Sequence, residues 1–358
     1  MSTQKVEEAE FTLITEKSCS KCTHEDLLCY GKIFNTLFGD CPAAFAGLTR
    51  PWLRNIRFAE QDISNIFSTC KRLQSLRLSY CDAGVGSVLQ VGHAQLVELN
   101  IEHGKFEAVQ LNYVPKLQRL NYTGWSYPDP NLTFGYVPKL SQLSLVKKGN
   151  SCTQNLQLSH LLANVPSRIS DLHLDFKSEK VWVAPECPKL LSPVLGKLRV
   201  VNLVNLPEGC DIAWTLFILE GAPALKELCI RVWDHWCEMV TDKELRKKYG
   251  YCEKANVEWQ RYAIDFKHKN LVKLTIYGFQ PDECFLRCIR RVLEVAVNME
   301  QISLQDREAC ERCGNLDPSI KVSPSRYPRT DEEKNMLREE ITKDLRMVSP
   351  AVIHFMSE

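Results

Sequence analysis

Apolar residues recur along this chain in triplets, with two mostly polar positions after the first and one after the second. The cleanest copy, Leu73-Gln-Ser-Leu76-Arg-Leu78-Ser-Tyr-Cys81, fits L-x-x-L-x-L-x-x-C in full. The same spacing returns at Leu53/Ile56/Phe58, Leu96/Leu99/Ile101, Leu117/Leu120/Tyr122, Leu140/Leu143/Leu145 and Ile169/Leu172/Leu174. It continues at Leu198/Val201/Leu203, Leu225/Leu228/Ile230, Leu271/Leu274/Ile276 and Met299/Ile302/Leu304. Alternation within each triplet predicts a short strand whose second and third apolar residues point inward, while their neighbours line the opposite face. Proline announces several copies, at Val114-Pro115-Lys-Leu117, Val137-Pro138-Lys-Leu140 and Ala222-Pro223-Ala-Leu225. Recurrence mostly at 20 to 29 residues is the signature of leucine-rich repeats, in which one strand and one return segment form each unit. A single unit cannot bury its own apolar side, so neighbours stack to make the core.

The expected fold is an α/β leucine-rich-repeat solenoid, a horseshoe with a parallel β-sheet on the concave face and helices and loops on the convex face. Return helices are expected over 62–70, 210–219 and 281–297, the last with Phe285, Ile289, Val292 and Ala296 along one stripe. Residues 1–50 read as an N-terminal partial repeat. In it a strand at Phe11–Ile14 precedes a helix started by a capping-box pattern, Thr23-His-Glu-Asp26. Residues 51–314 carry the repeats, and 315–358 read as a linker followed by a helix starting at Thr330-Asp-Glu-Glu333. An apolar end surface beside Phe11 and Leu13 is expected, because a terminal repeat needs a cap. Strand geometry nominates a protein-binding concave face made by Arg57, Arg77, Glu98, Asn100, Arg119, Asn121, Asp171, His173, Asp175, Asn202, Glu227, Arg231 and Lys273.

Composition narrows the function classes. The 358 residues carry 45 Lys+Arg against 44 Asp+Glu, a net charge of +1, which gives no electrostatic case for nucleic-acid or membrane-surface binding. The first twenty residues contain no apolar run like that of a secretory signal, and no stretch approaches the roughly 20 apolar residues of a bilayer span. Cytoplasm or nucleus is therefore the expected location, with the 16 cysteines reduced. Cys19-x-x-Cys22 and Cys310-x-x-Cys313 are each half of a zinc site, but they lie far apart in the chain and are not expected to share an ion. The stretch Trp233-Asp-His235-Trp236-Cys237, with Cys252 and His268 near it in sequence, could supply further ligands. It reads rather as aromatic cover where the 46-residue repeat bulges out. No metal or cofactor is expected, and folding is expected to survive chelation. Phosphate-loop, nucleophile-elbow and H-E-x-x-H patterns are missing, so no enzyme is expected.

Several strings resemble the grass F-box/leucine-rich-repeat proteins. They are Cys41-Pro-Ala-Ala-Phe-Ala-Gly-Leu-Thr49, Ser68-Thr-Cys-Lys-Arg-Leu-Gln-Ser-Leu76, Leu161-Leu-Ala-Asn-Val-Pro166, Asp211-Ile-Ala-Trp214 and Leu225-Lys-Glu-Leu-Cys229. Phe266–Phe279 and Ile289–Asn298 are similar to the C-terminal FBD-type region of that family, here about residues 255–314. The resemblance implies a non-catalytic substrate-recognition part of a Skp–cullin–F-box ubiquitin ligase, with the partner protein held on the repeats. An F-box needs roughly 40–50 residues, more than lie upstream of Phe11, so binding of the Skp adaptor is expected only if a complete gene product adds one. Leu206-Pro-Glu-Gly at the start and Arg231-Val-Trp233 at the end echo an F-box, but the repeat frame runs through that segment unbroken. The alternative is a small-ligand sensor, which a deep pocket lined by the concave arginines would favour over a flat polar face.

Overall fold

The computed structural model describes residues 10–12, 15–18, 21–59, 61–125, 131–147, 156–165, 169–179, 181–248, 265–307, 310–316, 324–345 and 351–356. The chain forms two compact units, Met1–Lys148 with Asn164–Arg168, and Gly149–Ala163 with Ile169–Glu358. In the first unit, β1 (Glu10–Thr12), β2 (Arg50–Arg54), β3 (Ser75–Ser79), β5 (Glu98–Glu102), β7 (Arg119–Trp125) and β9 (Gln142–Lys147) form one parallel ladder in that order. Its helices are α1 (His24–Asp40), α2 (Pro42–Phe45) and α3 (Asp62–Thr69). The second unit stacks β10 (Asp171–Asp175), β11 (Val200–Leu206), β12 (Glu227–Val232), β13 (Lys273–Tyr277), β14 (Gln301–Gln305) and β15 (Val352–Met356), again all parallel. Its helices are α4 (Leu158–Leu161), α5 (Pro188–Leu195), α6 (Phe217–Gly221), α7 (Lys243–Lys248), α8 (Glu283–Val295), α9 (Glu311–Gly314) and α10 (Asp331–Thr342).

The apolar triplets set the register. Leu76, Leu99, Leu120 and Leu143 are paired across the first unit's ladder, and so are Leu78, Ile101, Tyr122 and Leu145. In the second unit Leu172, Val201, Leu228, Leu274, Ile302 and Ile353 make one such row. All these side chains are buried. Each contributes on the order of 1.5–3 kcal/mol of apolar burial, which is what makes neighbouring repeats cohere. No helix among the described residues is long and apolar enough to cross a membrane.

Three expectations need correction. In the first copy, Leu53 pairs with Leu78, so the triplet is Leu48/Pro51/Leu53 and not Leu53/Ile56/Phe58. Asn55 adopts φ 55° just after β2 and turns the chain out of the ladder, leaving Ile56 and Phe58 buried beyond it. Tyr80, His103 and Gly124 take positive φ at the equivalent positions of β3, β5 and β7. The second correction is on the return side of the first unit. There β4 (Val88–Gly92), β6 (Ala108–Tyr113) and β8 (Leu132–Tyr136) form a second parallel sheet instead of helices or loops. Its pairs Leu89/Val91, Val109/Leu111 and Leu132/Phe134 are buried at alternating positions. Third, the chain adds β15 after α10, where only a helix was expected, and Ile353 and Phe355 extend the two apolar rows. Segment 206–233 runs from the end of β11 through a return turn and α6 into β12, as the repeat frame requires. The expected apolar end beside Phe11 and Leu13 lies outside the side chains described.

Candidate functional site

The open face of the first unit's sheet presents, row by row, the residues between the buried pairs. Trp52, Arg77, Asn100, Asn121 and Ser144 form the central row. Four of them belong to two hydrogen-bonded clusters, Trp52 and Arg77 to one and Asn100 and Asn121 to the other. The Arg77 guanidinium lies 4.1 Å over the Trp52 ring and reaches Glu102 at 2.8 Å. Trp52 Nε1 donates to Ser79 Oγ at 2.8 Å, and Ser79 Oγ donates to Glu102 Oε2 at 2.8 Å. One strand row away, Arg119 Nη2 donates to Glu98 Oε2 at 2.7 Å and Asn100 Nδ2 to Glu98 Oε1 at 3.0 Å, while Asn121 donates to Asn100. Partial burial alone would raise the Glu98 carboxyl. The hydrogen bonds from Arg119 and Asn100, with the Arg119 charge, outweigh it and hold that group below the usual range.

Arg57 is not on this face. It lies beyond β2, where its guanidinium is largely buried and forks onto both carboxylate oxygens of Asp82 while also meeting His24. The position assigned to it belongs to Trp52, which the displaced frame concealed.

On the second unit's sheet, Asp171, Val200, Glu227 and Lys273 form one row and His173, Asn202, Cys229 and Thr275 the next. Lys273 faces Glu227 at 3.7 Å, and Arg231 stacks 4.7 Å over Tyr277. Asp175 is buried rather than presented. It accepts from Asn205 Nδ2 at 3.0 Å and from the Lys177 backbone N–H at 2.8 Å, closing the ladder's end. Burial depresses the His173 imidazole; Asp175 opposes this, while Arg231 and Lys177 add to it. Burial likewise pushes the Cys229 thiol up, the opposite of what a thiolate nucleophile requires.

Away from the sheet face, two segments converge. The insertion after β12 brings His235 and Cys237, and the segment after β14 brings Cys310 and Cys313. The four potential ligand atoms lie within 4.8 Å of one another. Cys237 and Cys310 sulfurs are 3.7 Å apart, and all four residues are half-buried. Burial, together with Cys313 and Cys310, pushes the Cys237 thiol up to about 12, whereas hydrogen bonding, first from the Cys313 backbone, holds Cys310 below its ordinary value. The expectation of no metal weighed the two Cys-x-x-Cys pairs against each other, and the His235/Cys237 segment with Cys252 and His268. Cys252 lies outside the described residues, and His268 hydrogen-bonds to Ala222 and Leu271. Cys310-x-x-Cys313 instead meets a His-x-Cys pair from another repeat, and sequence spacing carries no signal for that long-range contact.

Two cavities, about 430 and 560 Å³, lie away from the open faces of the two ladders. The first is lined by Asp211 and by α8 residues including Arg287, Arg290 and Arg291, and the second by Phe58, Gln61 and Val88 with their neighbours. Arg77, Arg119 and Arg231 line neither.

One solved structure resembling this chain is the TLR13–ssRNA13 complex, at 15% identity and a TM-score of 0.31. The match covers 75% of this chain and 44% of that one, so this chain spans less than half the length of that relative. No curated protein matches. The leucine-rich-repeat domain model described as At1g61320/AtMIF1, named for a plant protein, matches residues 41–339, in agreement with the repeat architecture. The chain belongs to the At1g61320/AtMIF1 leucine-rich-repeat domain family.

Proposed function

We propose that this chain is a non-catalytic protein-recognition module, the substrate-holding part of an F-box-type ubiquitin-ligase receptor acting in cytoplasm or nucleus. The observation that carries the reading is the first unit's sheet face, where Trp52, Arg77 and Glu102 are fixed in one hydrogen-bonded, stacked cluster and Glu98 and Arg119 in a second. Charges fixed before binding lose little rotamer entropy on contact, and an aromatic flanked by arginine is the composition of a binding hot spot. Polar faces of this kind select partners by charge complementarity. None of the thirteen described cysteines is in a disulfide, in keeping with a reducing compartment. The two cavities favour no ligand-sensor reading, since neither takes in the arginines of the sheet face.

The test is affinity capture from plant tissue with the wild-type chain and two folded variants. Trp52→Ala/Arg77→Glu alters the sheet face and Val85→Asp the return side. Partners that wild type and V85D retain, and the face variant loses at least tenfold, support the proposal. Partners lost only with V85D would place recognition on the opposite side and overturn it.

A further inference from the structure

We propose that His235, Cys237, Cys310 and Cys313 bind one zinc ion as a closed structural site, stapling the insertion after β12 to the segment after β14. Four ligands at Zn–S and Zn–N distances of about 2.3 and 2.0 Å require donor atoms roughly 3.5–3.8 Å apart in a tetrahedron. The Cys237–Cys310 sulfur separation of 3.7 Å already has that value, and all four donors fall within 4.8 Å. Three thiolates and an imidazole form a soft set that suits zinc and not magnesium or calcium. Four protein ligands leave no open position for a reacting water, so the site is structural, consistent with a non-catalytic chain.

His235, Cys310 and Cys313 are held by their own local structure. The His235 backbone N–H donates to Ser178 Oγ at 3.1 Å, and its ring stacks on Trp233 at 4.6 Å between centroids. Cys310 caps α9, and the Gly314 N–H donates to the Cys310 carbonyl at 2.9 Å, so the Cys-x-x-Cys turn presents both sulfurs on one side. The two halves of the site come from positions 73 residues apart, a long closed loop for a metal to pin. A Cys237–Cys310 disulfide is the competing use of these atoms. It requires the sulfurs to approach to about 2.05 Å and would leave Cys313 and His235 without a role.

Metal analysis of the full chain, purified without chelator and under reducing conditions, is expected to find one zinc per chain. Cobalt(II) exchanged into the protein is expected to give the intense visible bands of tetrahedral thiolate coordination. Chelation is expected to make three thiols newly reactive and to lower the melting temperature. C313A and H235A should lose the metal, whereas C29S, at an exposed thiol on α1, should keep it. If both alanine variants misfold, H235C supplies the check, because a four-thiolate site should retain zinc with a shifted cobalt spectrum. A folded wild-type chain that takes up no zinc from a stoichiometric supply would overturn the proposal. So would retention of one equivalent in folded C313A, or a Cys237–Cys310 disulfide in the reduced preparation.

Discussion

Single residues decide where the chain can leave the ladder. Gly278 follows β13 with φ +73°, and a Cβ there would stand 2.0 Å from the Val232 carbonyl oxygen of the neighbouring strand. That φ strains any side chain, though Tyr80 and His103 bear a positive φ at equivalent positions; at Gly278 the space also excludes one. G278A is therefore expected to destabilise the fold by about 2–4 kcal/mol, read from the urea midpoint; a loss under about 0.5 kcal/mol would show that the turn can be remade. A second set of residues contributes to the acid side of the stability curve, alongside His173 and His235, which burial also lowers. His93 and His268 are buried; each ring accepts a backbone N–H at Nδ1 and so donates from Nε2 to the carbonyl of Cys70 or Ala222 at 3.0 Å. Both are held neutral, burial lowering each below the ordinary 6.5. The unfolded chain takes up those protons first, so this stability is complete above about pH 6.5 and drains away as pH falls towards the folded-state values. Urea midpoints should decline from pH 7 to 5.5, and the decline should flatten in H93Q/H268Q. An unchanged slope in that double variant would assign the effect to other groups.

At the scale of elements, the return segment follows the length of the repeat. From Leu73 to Leu96, Leu117 and Leu140 the repeats run 21–23 residues, and their returns are the strands β4, β6 and β8. Repeats of 28–29 residues, such as those starting at Ile169 and Leu271, have room for α5 and α8. Corrected to Leu48, the first repeat runs 25 residues and holds α3. His93 and His268 stand three residues before the leucine that opens a triplet, the place taken elsewhere by Val114, Val137 and Ala222. The last three accept the turn's N–H at their carbonyls, and His268 accepts it at its ring. Most ladder strands were legible because a side-chain period of two beside a buried row leaves little freedom of register. The first copy slipped because Pro51 occupies an inward position that a search for leucine passes over. β15 escaped because its alternation, Ile353 and Phe355, has no leading leucine. On the face, Arg77, Glu98 and Arg119 were legible from alternation, but Trp52 and Tyr277 emerge only from the true register and the ring contacts. The two capping boxes were written in the sequence and are present, Thr23 with Asp26 and Thr330 with Glu333. T330A is expected to cost about 1 kcal/mol, through fraying of α10. Equal melting curves for T330A and the wild type would mean that α10 is held by packing at Ile341 alone.

For the molecule as a whole, contacts run mainly between neighbouring repeats, so a local loss should stay local. Each unit has its own ladder and its own buried rows, and the thiol–imidazole cluster belongs entirely to the second. It joins the exit of β12 to the exit of β14, bracketing β13. Hydrogen exchange followed by mass spectrometry can read this strand by strand, because protection reports the free energy of opening each segment. On chelation, amides of β12, β14 and α9 are expected to exchange at least tenfold faster, while β3, β5 and β7 in the first unit keep their rates. G278A, which disturbs the same neighbourhood without touching a ligand, should loosen β12 and β13 whether or not chelator is present. If chelation instead raises exchange uniformly through both units, the chain opens as one cooperative body, and the independence expected of stacked repeats does not hold here.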